Sequence, residues 1–388
     1  NGFDMSQVCK SARENMVSTD KMPLAPHEFA LMDMLFSNSE AFLSRLQPGY
    51  ETCRYVFFPG CQAGAIAPDV VMQAYEDLSN RVDRGVALML GCCGAISEWA
   101  GRYEMTEKVN EQLKQELAKL GDPIIIAGCP TCMKQLKESI GAHVIGIWEI
   151  LREIGLPQQA KGLEIPVAIH DACGARGDAQ TQDMIRQLLS DMGCTVEDTE
   201  YSRDLSPCCG YGGLTAYANK DMAAKMTEKC LERSDAPYIT YCMACRDRFA
   251  REGRESRHIL ELLYGANASN MPDISEKRYN RLILKQTLLK NIWNEEPIME
   301  KKDYTVAYTE EAIHMMDERM ILKSDVERVL SDYRENQEAI LDEETKELVT
   351  RSRLGNVTFW VRFVETEDGY LVHRAYSHRM NIMKRVGQ

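Results

Sequence analysis

The chain of 388 residues has no apolar run of the roughly 18–20 residues that a bilayer-spanning helix needs. It shows no secretory leader, and it opens at Asn1 rather than Met, as a fragment or a trimmed chain would. Positive charge is in deficit: 46 Lys and Arg against 59 Asp and Glu leave a net charge of −13. General nucleic-acid binding is therefore not expected, because phosphate contacts require a basic surface. Low-complexity tracts are absent too, and 44% hydrophobic with 27% charged residues is ordinary for a folded protein, which excludes wholesale disorder. What the chain does have is sulfur, with 14 cysteines. A secreted disulfide scaffold would be shorter and poorer in helix-forming segments. In a reducing cytoplasm the same richness points to metal or redox chemistry.

Ten of the cysteines form one pattern written twice. Cys61, Cys92-Cys93 and Cys129 with Cys132 make the first copy; Cys173, Cys208-Cys209 and Cys242 with Cys245 make the second. Matching members are separated by 173 − 61 = 112, 208 − 92 = 116 and 242 − 129 = 113 positions. A unit of about 110 residues has been duplicated. Both vicinal pairs run into glycine, at Gly94 and Gly210.

Short apolar runs precede most of these groups: 54–58, 85–90 and 123–127 in the first copy, 165–169 and 237–241 in the second. Such runs suit strands buried on both faces of a parallel sheet. Segments with apolar residues at three- and four-residue spacing lie between them, at 68–78, 97–120, 180–192 and 214–231, and read as helices. The alternation predicts an α/β fold of two duplicated open parallel sheets, Rossmann-like, forming a pseudo-twofold pair. Loops at the carboxyl ends of parallel strands gather on one edge, so the cysteines should converge.

Soft thiolates select zinc, copper(I) or iron–sulfur clusters. A structural zinc site closes with four ligands, usually two short knuckles. Here each copy offers five cysteines, two of them adjacent, an arrangement a larger cluster accommodates better than one tetrahedral ion does. Glycines at 60, 91, 94, 128, 174, 210, 212 and 213 let backbone N–H groups approach the sulfurs, a lever on reduction potential.

This double pattern over residues 53–265 resembles the CCG, or cysteine-rich, domain of the heterodisulfide reductases. It is similar as well to the iron–sulfur subunits of anaerobic glycerol-3-phosphate, glycolate and lactate oxidising systems. The resemblance implies two [4Fe–4S] clusters, at least one of them non-cubane. Cys61, Cys92, Cys93, Cys129 and Cys132 would hold one, and Cys173, Cys208, Cys209, Cys242 and Cys245 the other. It implies a disulfide substrate between the clusters, and a flavoprotein, ferredoxin or NAD(P)H-linked partner as electron donor. With only Cys9 in the opening residues, no complete ferredoxin motif is present, so the donor is expected on another chain or a removed portion.

The expected divisions are an N-terminal helical segment (1–52, the remnant of an upstream ferredoxin-like module), the CCG repeats at 53–150 and 163–265, a linker with a basic helix (266–301) and a small α+β domain (302–388). In the last, helices near 309–318 and 324–336, with Ser324 and Asp325 as capping residues, precede a hairpin of 357–364 and 370–376. His170, Asp171 and Arg176 flank Cys173; they read as support for the cluster loop in preference to a proton donor and its charge partner. The Gly174–Gly177 loop lacks the lysine of a phosphate loop. Cys53, Cys194 and Cys230 read as buried free thiols, Cys9 is unassigned, and His373 and His378 are isolated histidines rather than ligands. The basic helix at 275–291 reads as a solvated face, with docking to an acidic partner as the functional alternative. Three functions follow in order: a cytoplasmic, anaerobic iron–sulfur component reducing a disulfide; an electron-transfer subunit of a hydroxy-acid or glycerol-phosphate dehydrogenase; and a zinc–thiolate scaffold. No separate catalytic acid–base pair is evident.

Overall fold

A computed structural model describes residues 5–22, 26–265, 271–296, 303–354 and 357–378. Residues 266–270 and 297–301 of the expected linker, 1–4 and 23–25 of the N-terminal segment, and 379–388 of the tail lie outside the described residues. The chain divides into two compact units, Asn1–Met271 with Lys277–Pro297, and Pro272–Glu276 with Ile298–Gln388.

The first unit is built on two sheets. One contains β1 (Leu43–Arg45), β2 (Tyr55–Phe58), β3 (Val86–Leu90), β4 (Ile124–Ala127) and β5 (Val144–Gly146), in the order β1-β3-β2-β4-β5. The other contains β6 (Val167–His170), β7 (Val196–Asp198), β8 (Tyr238–Thr240) and β9 (Ser256–His258), in the order β7-β6-β8-β9. Apart from β1, which adds antiparallel to β3, every pairing is parallel and the two orders are the same. The duplication read from cysteine spacing is therefore a duplication of topology. It extends to a feature without cysteine. The Glu149 carboxylate accepts from Gly146 N–H (2.7 Å), and Glu261 accepts from His258 N–H (2.6 Å), at the same offset of 258 − 146 = 261 − 149 = 112.

Apart from the half-buried Ile124 at the start of β4, the central strands are buried throughout (Val56, Phe57, Leu88, Ile126, Val167, Ile169, Ile239), as fully apolar runs between helices must be. Two expected helices are interrupted. Residues 97–120 split into Ala95–Trp99 and Tyr103–Lys119, because Gly101 adopts φ +69° where the helix Met5–Ser18 crosses; a Cβ there would meet the Arg13 backbone at 2.9 Å. Residues 214–231 split at Asn219, whose side chain accepts from Met222 N–H and starts the helix Lys220–Leu231.

One reading is corrected. The helix Ile274–Trp293 is neither a linker element nor a free basic face: from Lys277 onward it belongs to the first unit and packs into it. Leu284, Leu288 and Arg281 are buried, Lys277 pairs with Asp247, Asn280 donates to Ala65 O, and Lys285 donates to Glu40 O. Lys277, Arg278, Arg281 and Lys285 are spent on internal partners, while Lys290 is exposed.

The second unit is a five-stranded sheet of β10 (Thr305–Tyr308), β11 (Ile340–Leu341), β12 (Leu348–Leu354), β13 (Val357–Thr366) and β14 (Gly369–His378), ordered β10-β14-β13-β12-β11. The helices Glu310–Arg319 and Lys323–Asn336 cover one face through Ala312, Met316, Val326, Val329 and Leu330. Asp325 caps the second helix by accepting from Leu322 N–H at 3.1 Å; Ser324 lies inside the helix and is not the cap.

Candidate functional site

Five of the six cysteine groups sit where a strand of the first unit ends; Cys208-Cys209 lie instead in the loop that follows β7. Cys61 opens the helix Cys61–Ile66 after β2, Cys92-Cys93 follow β3, and Cys129 precedes the helix Pro130–Ile140 after β4. Cys173 lies in the short turn after β6, and Cys242 precedes the helix Met243–Arg251 after β8. The glycine that follows each vicinal pair is required by its conformation. Gly94 has φ +87° and Gly210 has φ +95°, a left-handed bend that turns the pair inward and that other residues adopt only with strain.

The ten thiols come together. Side-chain contacts run Cys61–Cys92–Cys93–Cys132–Cys129 in the first repeat. In the second they run Cys173–Cys208–Cys209–Cys245–Cys242. Cys129 also contacts Cys242, so the two quintets touch. Accepting hydrogen bonds from neighbouring thiols lowers the pKa of Cys93, Cys129 and Cys208, the reverse of the effect on Cys61, Cys132 and Cys173, which are raised. Backbone N–H groups also face sulfur: Gly210 donates to Cys208 Sγ at 3.4 Å, Gly94 to Cys92, Ala95 to Cys93, and Thr131 and Cys132 to Cys129.

The donor set fits a polynuclear sulfur centre in three respects. It is all thiol, Cys92, Cys93, Cys132, Cys209 and Cys245 are buried and the other five half-buried, and the backbone beside it is cleared of side chains. A Cβ on Gly60 would stand 3.2 Å from Cys132 Sγ, and one on Gly212 would stand 3.3 Å from Cys208 Sγ and 3.8 Å from Cys173 Sγ. Among the described residues, no three His, Cys, Asp or Glu side chains converge as the ligands of a single metal ion do. The sulfurs form a chain instead.

A cavity of about 60 Å³ adjoins the first quintet, lined among others by Cys61, Cys129, Trp99, and from the second repeat Tyr211, Cys242 and Met243. Tyr211 belongs to the loop that carries Cys208 and Cys209. Burial keeps its hydroxyl protonated, and Tyr217 shares a hydrogen bond with it.

Several supports were invisible in the sequence. Asn38 clamps Cys92 through its backbone, accepting from the N–H at 2.7 Å and donating to the carbonyl at 3.1 Å. Arg281 donates to Cys61 O at 3.0 Å and forms two bonds of 2.8 and 2.9 Å with Asp33. Burial alone would raise the Asp33 pKa; Arg281 and Arg278 outweigh it and hold the carboxyl below its ordinary range. These partners stand 92 − 38 = 54 and 281 − 61 = 220 positions from the cysteines they hold, with no periodic pattern to reveal them.

The residues around Cys173 have structural roles. Asp171 is fully buried, bonded twice by Arg186 (3.0 and 2.9 Å), by Tyr241 OH (2.9 Å) and by Arg203 N–H (2.6 Å). Arg176 donates to Asp204 O and Ser206 O, fixing the loop that leads to Cys208. A Cβ on Gly174 would meet Thr131 N at 2.7 Å, so this glycine serves the close approach of the two repeats and not a phosphate. His170 is buried with its Nε2 unpartnered. Cys53, Cys194 and Cys230 are buried free thiols, and Cys9 is exposed on the helix Met5–Ser18. In the second unit His373 pairs with Glu347, and His378 Nε2 accepts from Trp360 at 2.9 Å. No described helix is long and apolar enough to cross a membrane.

Comparison with known proteins agrees with the geometry. The CCG cysteine-rich domain family matches residues 55–137 and again 167–249. An uncharacterized iron–sulfur protein of Methanococcus maripaludis is 25% identical over 222 residues, which cover 53% of this chain and 43% of that protein. One of the subunits of the CoM/CoB fumarate reductase of Methanothermobacter marburgensis is 27% identical over 229 residues, covering 54% and 46%. The chain thus spans less than half the length of these relatives. No solved structure matches it significantly. With the same sheet order, the same cysteine groups and the family matched over both, the two repeats of this chain are a tandem pair of CCG cysteine-rich domains.

Proposed function

We propose that the chain is the iron–sulfur component of a heterodisulfide-reductase-like oxidoreductase. In this reading Cys61, Cys92, Cys93, Cys129 and Cys132 hold one four-iron cluster, and Cys173, Cys208, Cys209, Cys242 and Cys245 hold a second. The observation that carries it is the contact between Cys129 and Cys242, which sets the two quintets edge to edge beside a cavity. Such clusters, when bound, supply one-electron redox chemistry at a potential set by the surrounding hydrogen bonds and solvent exclusion.

The chain's own residues provide the rest. The glycine-lined loops present thiolates and aim N–H groups at sulfur. The buried strands behind them exclude water. Trp99, Tyr211 and Met243 offer a soft, apolar wall to a sulfur-containing ligand, and the Tyr211 hydroxyl keeps a proton beside Cys61. The net change is a disulfide taking up two electrons and two protons to give two thiols, with the electrons from a flavoprotein, ferredoxin or NAD(P)H-linked partner. The relative named as a subunit of a CoM/CoB fumarate reductase supports a redox role.

One observation favours a second reading. A cavity of about 60 Å³ is far below the roughly 300 Å³ at which small-molecule sites begin, as suits a relay that only passes electrons to a hydroxy-acid or glycerol-phosphate dehydrogenase partner. Assay of the purified complex separates the two: disulfide-dependent oxidation of a reduced donor is expected. Intact clusters without disulfide turnover, together with hydroxy-acid oxidation, would replace the first reading by the second.

A further inference from the structure

We propose that His170 donates an N–H bond to the sulfur centre of the second repeat, and that this bond makes the second centre easier to reduce than the first. The inference rests on the proposed function, in which the second quintet holds a cluster.

His170 is the last residue of β6, three positions before Cys173, and is 4% exposed. Its Nε2 is buried without a partner, which is costly for a buried polar group. The strand alternation puts its side chain on the face of Ala168, which packs in one cluster with Cys209, Cys230, Cys245 and Phe249. The ring meets Phe249 edge-on at 4.8 Å, and Cys208 is near enough for its charge to act on the imidazole. A buried donor with no protein acceptor, enclosed on the cysteine side of the sheet, is placed to serve a sulfur. Cluster sulfides and thiolates only accept, so the tautomer facing them carries its proton on Nε2.

At the matching position the first repeat has no donor; its side-chain N–H at sulfur is Gln62, whose Nε2 stands 4.0 Å from Cys61 Sγ on the other side of the ligand in the chain. Phe58 closes β2 three positions before Cys61, at the offset of 170 − 58 = 112, and is 1% exposed. An N–H group directed at sulfur stabilises the more negative, reduced form and raises the potential. Duplicated loops thus acquire unequal potentials from one position, and an electron shared between the touching quintets settles on the second.

The test uses the full chain with its clusters loaded under anaerobic conditions, wild type beside H170F and H170Q, with Cys209→Ser identifying the signal of the second centre. EPR-monitored redox titration of H170F should lower the reduction equilibrium of the second centre at least tenfold, 59 mV for a one-electron couple, and leave the first unmoved. Of the deuteron couplings to the second centre after exchange into heavy water, the one from His170 should disappear while that of the Gly210 N–H stays. H170Q, which keeps an N–H donor, should restore most of both. Full loading of H170F with an unmoved second couple, or equal shifts in both couples, overturns the assignment of His170 alone. A wild-type chain with no iron at the second quintet overturns the assignment and the reading beneath it.

Discussion

The two CCG repeats carry the same five-cysteine pattern on the same strand order, yet they are held together by different means. In the first, the vicinal pair follows β3 after 92 − 90 = 2 positions; in the second it follows β7 after 208 − 198 = 10. The longer loop is fixed from within its own repeat, by Arg176 on Asp204 and Ser206, and by Asp171 with Arg186 and Tyr241. The first repeat is braced by segments outside it: Asn38 before β2, and Arg281 from the helix Ile274–Trp293. A duplicated ligand pattern therefore did not require duplicated support. Strand order places the loops, and each set of loops is then locked by whatever side chains lie around it.

This difference can be broken at one repeat at a time. The largest effect is expected from removing a buried guanidinium. Arg281→Leu strips the half-buried Asp33 of its bidentate partner and leaves it only Arg278 at 3.3 Å, and should cost about 3 kcal/mol of stability in urea unfolding. Its loss of iron should fall on the first centre. Arg186→Leu exposes the fully buried Asp171 to the same penalty, and its loss should fall on the second. Iron loss shared equally between centres in both variants would show that the braces are not local to a repeat.

A smaller and unequal effect is expected at the paired glycines. Alanine at either has to adopt a left-handed conformation, at about 1–2 kcal/mol. Gly94→Ala adds only a contact of 3.2 Å with a Val109 methyl, whereas Gly210→Ala drives its Cβ to 2.6 Å from the Ala223 carbonyl oxygen. Gly210→Ala should therefore be the more destabilised in the same unfolding experiment, and equal losses would contradict this packing.

Much of this was legible in the sequence, for a physical reason. Doubly buried strands have to be apolar along their whole length, so β2, β3, β4, β6 and β8 stood out, and the cysteines at their ends followed. Strand β7 did not, because Val196–Asp198 lies at a sheet edge with Glu197 and Asp198 exposed. Strand β9, Ser256–His258, is polar although Ser256 and His258 are buried; His258 is drawn in by the bond from its N–H to Glu261. Nor could composition separate Arg281 from the exposed bases of an ordinary amphipathic helix. Its burial depends on Asp33, 281 − 33 = 248 positions away, and only tertiary packing brings the two together. The expected linker failed for the same reason, since a polar helix packed through ion pairs looks from its sequence like one facing water.

Each quintet is proposed to grip iron and sulfide, and metal analysis of the anaerobically purified chain tests that most directly. Two four-iron clusters correspond to about eight iron and eight acid-labile sulfide per chain. Cys93→Ser and Cys209→Ser should each remove about half of both, with loss of a different EPR signal in each variant. A colourless protein containing zinc and no iron, or iron content and spectra unchanged in both serine variants, would contradict it.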